Sequence, residues 1–399
     1  MRRSNLDYCA FIFGEDMKKE LELYIHIPFC IRKCAYCDFL SGPADEATIS
    51  RYLEALKREI QSQSELAKDY IVTSIFFGGG TPSILTGTQM KMLLKTLCKT
   101  FEIAEYAEIS MEANPGTVTK RKLSSYKNSG INRISFGLQS TNDRELKTLG
   151  RIHTYKAFLK SFALARDCGF DNINVDLISA VPNQTVESWE QSVRNILDLN
   201  PEHISAYSLI VEEGTPFYEK YGEGAPDEDM LPSEEDERLM YQRTEELLKE
   251  AGYHRYEISN YAKQGKECRH NLGYWERKEY LGLGLGSSSL IRNARFKNCD
   301  DLELYMEHSD DILQIREIDG ALTVEEQMEE FVFLGMRKIE GISIKKFQET
   351  FGKSLEECYG NGIENMKSKN LVEEVDGMLR LTAKGIDLSN YVFAEILYE

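Results

Sequence analysis

The chain has 399 residues, 42% hydrophobic and 29% charged, the balance of an ordinary soluble globular protein. Its net charge of −18 argues against a basic nucleic-acid-binding surface. No apolar run approaches the roughly 18 residues that a membrane span requires. Because this length exceeds the size at which a single core stops growing, we expect one large domain and one smaller domain.

Residues 1–16 contain two arginines and a short apolar piece, but not the long apolar core of a secretory signal. We interpret them as an N-terminal extension ahead of an alternative start at Met17. The chain has nine cysteines, and the six outside one cluster are scattered without pairing rhythm. This usage indicates a reducing compartment, and we expect the protein in the cytoplasm.

Between residues 17 and 252, strand-like runs alternate with helical patterns, which is typical of βαβ units and a parallel sheet. The strands are predicted at 21–28, 71–77, 107–113, 132–138, 172–179 and 203–210. The helices are predicted at 46–68, 87–101, 119–129, 155–168, 186–198 and 233–251. Six units are too few for a closed eight-unit barrel, so we predict an α/β fold with a partial, open parallel β/α barrel. A doubly wound sheet is the alternative.

Three cysteines with the spacing C-x₃-C-x₂-C follow the first strand, at Cys30, Cys34 and Cys37. A closed zinc site needs four protein ligands and a redox pair needs two. Three thiolates suit a [4Fe–4S] cube with one iron left open to another ligand. A zinc site completed by His26 or Cys268 is the alternative.

Polar residues and glycines follow the predicted strands, at the end of a parallel barrel where function is found. Strand 2 leads into Gly78-Gly-Gly-Thr-Pro-Ser83, whose glycines let a ligand approach the backbone closely. A carboxylate such as Glu112 is costly to bury without a partner, and it can accept hydrogen bonds from a ribose. Further candidates at the strand ends are Gln139, Arg151 and Asp176.

The remainder of the chain changes character twice. Residues 219–237 are predicted to form an acidic loop, and 253–319 a connecting region that closes the open side of the barrel. Residues 320–399 combine short helices with a hairpin signal at Asp376-Gly377, a pattern typical of a winged-helix-like α+β domain. We interpret that domain as an interaction or lid module, because the acidic balance disfavours DNA binding.

The cysteine spacing after a first strand resembles the signature of radical SAM proteins. The run H-I-P-F-C-x-x-K-C-x-Y-C-D-F, residues 26–39, is similar to the coproporphyrinogen oxidase-like branch and, within it, to the HemW-type heme chaperones. The resemblance implies that Cys30, Cys34 and Cys37 hold a [4Fe–4S] cluster and that S-adenosylmethionine (SAM) chelates the fourth iron. It also implies a set of SAM-contacting residues: Tyr24, Gly79, Gly80, Thr81, Glu112, Gln139, Arg151, Asp176 and Ser208.

A second run, His270-Asn-Leu-Gly-Tyr-Trp275, resembles the motif that separates HemW-type chaperones from the oxidases. Imidazole is a common axial ligand of heme iron, and aromatic rings can cover a porphyrin face. The resemblance therefore implies heme binding at His270, Asn271, Tyr274 and Trp275.

Three functions remain open at this point. The first is a heme chaperone that delivers heme to recipient heme proteins, with an electron donor if SAM is cleaved, no nucleic acid and at most peripheral membrane contact. The second is an oxygen-independent coproporphyrinogen III oxidase, an enzyme whose fourth cysteine corresponds to Phe39 here and whose long N-terminal segment is missing. The third is a zinc-containing binding module without redox chemistry.

Overall fold

The computed structural model describes residues 18–397, so the predicted extension 1–16 lies outside the described residues. Six parallel strands lie side by side in chain order, which confirms the predicted strands and the parallel barrel sheet. They are β1 (Lys19–Ile27), β2 (Tyr70–Gly79), β3 (Glu102–Ala113), β4 (Arg133–Gln139), β5 (Ile173–Ser179) and β6 (His203–Ser208).

Helices cover the outer face of this sheet, and most begin at a residue whose side chain accepts a backbone N–H of the first turn. Such caps are Asp45, Thr86, Thr119, Thr154 and Thr185. The helices are α1 (Glu46–Ser62), α2 (Gly87–Thr100), α3 (Lys120–Asn128), α4 (Asp143–Thr148), α5 (Tyr155–Asp167), α6 (Val186–Leu197), α7 (Pro216–Tyr221) and α8 (Glu234–Glu250). The predicted first helix was too long, since α1 ends at Ser62 and a short 3₁₀ turn, Leu66–Asp69, follows.

The two faces of β1 differ as the alternation of its sequence predicts. Leu21, Leu23, Ile25 and Ile27 are fully buried in the main core. The alternate residues Glu22, Tyr24 and His26 point to the inner, concave side, which we call the lumen. This assignment extends across the sheet by register, since Tyr24 pairs with Phe76 and Glu22 with Ser74.

The region 253–319 differs from its predicted role. Its strands lengthen the sheet at both edges, and the two outermost strands, β12 and β7, do not pair with each other, so the barrel stays open. Beside β6 lie β8 (Asn260–Ala262) and β7 (His254–Arg255); beside β1 lie β9 (Tyr280–Leu283), β10 (Ser288–Ile291), β11 (Ala294–Asn298) and β12 (Arg316–Ala321). Three helices complete the region: α9 (Arg269–Trp275), α10 (Leu302–His308) and α11 (Ile312–Ile315).

The C-terminal part has a separate hydrophobic core that begins at Met328. Its elements follow the order of a winged helix: α12 (Val324–Gly335), β13 (Ile342–Ser343), α13 (Ile344–Phe351), α14 (Leu355–Ser368), β14 (Val372–Val375), β15 (Met378–Leu381), α15 (Ala383–Asp387) and α16 (Ser389–Leu397). The predicted hairpin is confirmed, because β14 and β15 pair antiparallel across Asp376 and Gly377, both with positive φ. Within residues 18–397, no helix is long and apolar enough to span a membrane.

Candidate functional site

The three clustered cysteines lie on the loop between β1 and α1, at the carboxyl end of the sheet. Backbone hydrogen bonds hold this loop: Cys30 N–H donates to the Gly42 carbonyl at 2.9 Å, and Ala35 N–H to the Leu149 carbonyl at 3.3 Å. All three thiols are free and half-buried. The loop therefore presents its sulfur atoms at the mouth of the lumen.

Two of these sulfurs accept hydrogen bonds from other loops at this end of the sheet, one after β2 and one after α4. Thr81 Oγ1 donates to Cys30 Sγ at 3.4 Å, and Arg151 Nη1 donates to Cys34 Sγ at 3.5 Å. Asn114 joins the two donors, since its Nδ2 donates to Thr81 Oγ1 at 2.8 Å and its Oδ1 accepts from Arg151 Nη2 at 2.6 Å. Asn114 was not among the residues predicted from the sequence, although its position directly after β3, before Pro115, is the available signal.

The donor set fits an iron–sulfur cube better than a single ion. Among the described residues, no three His, Cys, Asp or Glu side chains are placed to hold one metal ion. A cube makes no such demand, because each thiolate binds a different iron. The zinc alternative also lacks its fourth ligand: His26 has both nitrogens hydrogen-bonded, and Cys268 is buried against Glu108.

The glycine loop after β2 packs closely against the chain that enters the cysteine loop. Gly80 N–H donates to the Ile27 carbonyl at 2.9 Å, and Thr81 N–H to the Phe29 carbonyl at 2.8 Å. Gly79 has φ +102°, and a Cβ there would collide with the His26 ring. This position requires glycine because of its positive φ and the adjacent His26 ring.

Two carboxylates and a phenol face one another in the lumen beneath the loop. Burial, together with the nearby Asp176 carboxylate, raises the pKa of Glu112 to about 8. Asp176 accepts hydrogen bonds from Ser135 Oγ at 2.8 Å and Asn174 Nδ2 at 2.7 Å. Burial and Glu112 raise the pKa of Tyr24. Burial also raises the pKa of Asp176. These groups offer two carboxyl groups and a hydroxyl, which can form hydrogen bonds with the hydroxyls of a ribose.

Gln139 and Arg151 meet above Gly137. A Cβ on Gly137 would lie 3.0 to 3.3 Å from Gln139 Nε2, Asn114 Oδ1 and Arg151 Nη2. Gln139 itself has φ +75°, a strained conformation for this residue type. Polar groups from the ends of β3 and β4 thus converge beside the cysteine loop.

Ser208 does not join this group. It is exposed, and its Oγ donates a hydrogen bond to Glu237 on α8, on the outer side of the sheet. Its neighbour Tyr207 lies two residues after the lumen-facing Ser205, on the same face of β6. The structure thus places Ser208 apart from the other strand-end residues, and its contact with SAM stays a prediction from the resemblance.

The His270–Trp275 segment forms α9, which packs inside the lumen below the cysteine loop. Glu22, Ser74 and Glu108 each lie five residues before the end of their strand and contact α9 or the residue before it. His270 is 1% exposed; its Nδ1 is hydrogen-bonded with Ser74 Oγ at 2.8 Å and its Nε2 with the Tyr274 hydroxyl at 3.0 Å.

This pair of histidine and acid is uncharged at neutral pH. Burial, aided by Arg133, lowers the pKa of His270 to about 3, and burial raises the pKa of Glu22 to about 9. Their separation of 3.7 Å is therefore a contact between neutral groups and not an ion pair.

The other two motif residues point elsewhere. Asn271 supplies a backbone N–H to the Cys268 sulfur. Trp275 lies under the Arg337 guanidinium, 4.5 Å from its ring centroid, where α9 meets the C-terminal part. The motif is thus divided between the lumen and the contact with the second core.

Comparisons with known proteins agree with this architecture. The family model "Radical SAM superfamily" matches residues 24–196, and "HemN C-terminal domain" matches residues 322–388. The curated protein "Heme chaperone HemW" of Bacillus subtilis is 37% identical over 94% of this chain and 99% of its own length. The protein of the same name from Lactococcus lactis is 35% identical over 96% of this chain and 99% of its own.

Among solved structures, the radical SAM enzyme coproporphyrinogen III oxidase (HemN) of Escherichia coli matches with a TM-score of 0.83. The match covers 95% of this chain and 90% of that chain at 24% identity, which shows a shared fold. Radical SAM proteins use a [4Fe–4S] cluster and SAM, and the cysteine loop and strand ends supply donors suited to both. Since likeness to the HemW proteins runs through both parts of the chain, this chain belongs to the HemW-type family of the radical SAM superfamily.

Proposed function

We propose that this protein is a heme chaperone that binds heme, a [4Fe–4S] cluster and SAM, and delivers heme to recipient heme proteins. The observation that carries the proposal is the full-length similarity to two proteins named as heme chaperones. A feature of the loop supports it: Phe39 occupies the place of the oxidases' fourth cysteine and is 66% exposed.

In this proposal Cys30, Cys34 and Cys37 hold the cluster, and one iron stays open to SAM. When reduced, such a cluster supplies the single electron on which radical SAM chemistry depends. Arg151 directs donors toward the cysteine loop, and the protonated Glu112 carboxyl donates to a hydroxyl of the ligand. The residues proposed to contact SAM are Tyr24, Gly79, Gly80, Thr81, Glu112, Gln139, Arg151 and Asp176.

Heme binding at His270, Asn271, Tyr274 and Trp275 stays a prediction from the motif. Ligation of iron by His270 Nε2 requires the hydrogen bond with Tyr274 to break and the ring to become accessible. The heme state of the protein therefore has α9 displaced from the lumen, if His270 is the ligand. The working location is the cytoplasm, with an electron donor as a further partner if SAM is cleaved.

The cluster assignment is tested by anaerobic reconstitution. Cys30→Ala, Cys34→Ala and Cys37→Ala each abolish the broad visible absorption of the cluster, because each removes a ligand. Cys98→Ala and Cys168→Ala serve as controls, since those thiols lie on or beside outer helices. Equal loss at all five positions contradicts the assignment.

The chaperone proposal is tested by heme titration and by product analysis with coproporphyrinogen III. We expect a Soret band at substoichiometric heme and no protoporphyrinogen IX. Robust conversion of coproporphyrinogen III overturns the chaperone proposal in favour of the oxidase.

A further inference from the structure

Four aromatic rings form a continuous column through the lumen, from α9 to the cysteine loop. We call His270, Phe76, Tyr24 and His26 the aromatic column. His270 stacks on Phe76 with centroids 5.2 Å apart and planes at 20°. Phe76 stacks with Tyr24 at 6.4 Å and 20°, and Tyr24 lies 5.9 Å from His26.

Hydrogen bonds fix the upper end of the aromatic column to the cysteine loop. The Leu40 carbonyl, 3.0 Å from His26 Nε2, can only accept, so Nε2 carries the proton. Burial lowers the pKa of His26 and keeps the ring neutral, which leaves Nδ1 as an acceptor for the Tyr24 hydroxyl at 3.0 Å. The orientation of Tyr24 is thereby coupled to the end of the cysteine loop.

The glycine loop closes around the same rings. A Cβ on Gly78 would lie 3.0 Å from Tyr24, and one on Gly79 would collide with His26. Two of the glycines therefore provide the space that Tyr24 and His26 occupy. A shift of either ring displaces the loop that continues to Thr81, the donor to Cys30.

Within the described residues, the lower end of the aromatic column is held by α9 and by neighbouring side chains, since Phe76 also packs against the buried Tyr256, Ala262 and Cys268. His270 is bound by Ser74 and Tyr274, and Tyr274 packs edge-on against Tyr280 of β9 at 4.7 Å. No other aromatic stack reaches Phe76 within the described part of the chain. Without the His270 ring, Phe76 loses one of the two rings that stack on it, and Tyr24 remains as the other.

We propose that His270 is a positioning residue for the SAM and cluster site, acting through Phe76 and Tyr24 on the glycine and cysteine loops. This inference rests on the proposed function, because Tyr24 and the cysteine loop belong to the SAM site proposed above. It assigns α9 a role in the heme-free protein that does not depend on iron ligation by His270.

The test compares variants that remove the stack with one that keeps it. His270→Ala and Phe76→Leu remove a stacked ring, whereas His270→Phe keeps a ring on Phe76 but has no nitrogen for iron. SAM is titrated into each reconstituted protein and followed by the EPR spectrum of the reduced cluster. We expect the SAM dissociation constant to rise about three- to tenfold in His270→Ala and Phe76→Leu, and to stay near the parent value in His270→Phe.

A matched control separates positioning from general destabilisation. Phe136→Leu removes a fully buried ring from β4 that packs against Phe158 on the outer face, away from the aromatic column. It should lower the melting temperature without changing the SAM titration. Hydrogen exchange of residues 36–42 gives a second readout in the full chain before reconstitution. We expect faster exchange in His270→Ala and parent-like exchange in His270→Phe.

Parent-like SAM affinity and parent-like exchange in His270→Ala overturn the inference, as does equal loss in His270→Ala and His270→Phe. Failure of the proposed function looks different: no heme is bound by the parent, while the exchange difference between the two His270 variants remains.

Discussion

Asn114 is the residue on which the geometry beside the cysteines depends most directly. One side chain orients both the Thr81 hydroxyl, which donates to Cys30 Sγ, and the Arg151 guanidinium, which donates through Nη1 to Cys34 Sγ. Hydrogen bonds to cluster sulfurs and ordered donors beside ligands tune iron–sulfur sites. The short side chain of Asn114 thus connects the donors to two of the proposed ligands, Cys30 and Cys34, which are four residues apart in the loop.

Asn114→Ala should weaken SAM binding about tenfold, because two donors at the site lose the partner that orients them. SAM titration of the reconstituted protein measures the change. Asn195→Ala is the control, since Asn195 bonds Thr141 and Gln191 away from the cysteine loop. Unchanged affinity in Asn114→Ala contradicts the bridging role.

Glu22 makes the stability of the fold depend on pH. Its pKa is about 9 in the folded protein against 4.5 for an ordinary glutamate, so the folded state retains a proton that the unfolded state releases. The contribution of Glu22 to the free energy of unfolding therefore falls as pH rises from about 4.5 to 9, by at most about 1.4 kcal/mol per pH unit. The stabilisation is complete below pH 4.5 and is lost as pH passes 9.

Glu22→Gln keeps the shape and removes the titration, so its melting temperature should fall less than the parent's between pH 6 and pH 9. The exposed Glu54→Gln is the control and should follow the parent. Parallel curves for Glu22→Gln and the parent would show that Glu22 does not titrate in this range.

The helix α9 fills the lower part of the lumen, and we call it the plug. It fits there because it has a glycine at the position where a side chain would collide with β1. Gly273 packs directly on the Glu22 carboxyl, and any Cβ there would collide with it. Tyr274 and His270 then reach the lumen from the same helix. A seven-residue helix is too short to be stable alone, so its place is set by these contacts.

Gly273→Ala should destabilise the protein by about 1–3 kcal/mol, because the methyl group overpacks the contact with Glu22. Gly360→Ala in α14 is the matched control: its nearest neighbour is Glu356 at 3.4 Å, and alanine should stabilise that helix slightly. Thermal unfolding measures both. Equal changes in stability in the two variants would contradict the tight contact between Gly273 and Glu22.

Local patterns predicted the parallel strands well, since β1 alternates with period two and buries Leu21, Leu23, Ile25 and Ile27 as that pattern requires. Local patterns did not predict the elements whose position depends on pairing with a strand that is distant in the sequence. The strand β9 pairs beside β1, which lies more than 250 residues earlier, and nothing local in the run 280–283 specifies that neighbour. The burial of His270 likewise depends on distant residues, Ser74 and Phe76 of β2.

At the scale of the whole molecule, the second core is attached through charged groups next to α9. Glu330 on α12 accepts from Arg277 Nε and Arg295 Nε, each at 2.6 Å. Arg337, just after α12, covers Trp275. The contact therefore connects the C-terminal part with the end of α9 and with β11.

Glu330→Ala should loosen this contact by about 1–3 kcal/mol, because both arginines lose their carboxylate partner. Hydrogen exchange of residues 324–335 should rise while cluster absorption stays. Glu325→Ala is the control, since Glu325 is exposed and makes only a long ion pair, with 3.9 Å between its Oε1 and Lys353 Nζ. Equal protection in all three proteins contradicts the role of Glu330.

Transfer of heme to a recipient protein is the most direct test of the proposed chaperone function. The reconstituted protein is loaded with heme anaerobically, separated from free heme and mixed with an apo-cytochrome b, and both Soret spectra are followed. If the protein is a heme chaperone, heme leaves it and appears in the cytochrome, while the [4Fe–4S] absorption is retained. Heme that is never bound, or that stays bound in the presence of excess apo-cytochrome, would contradict it.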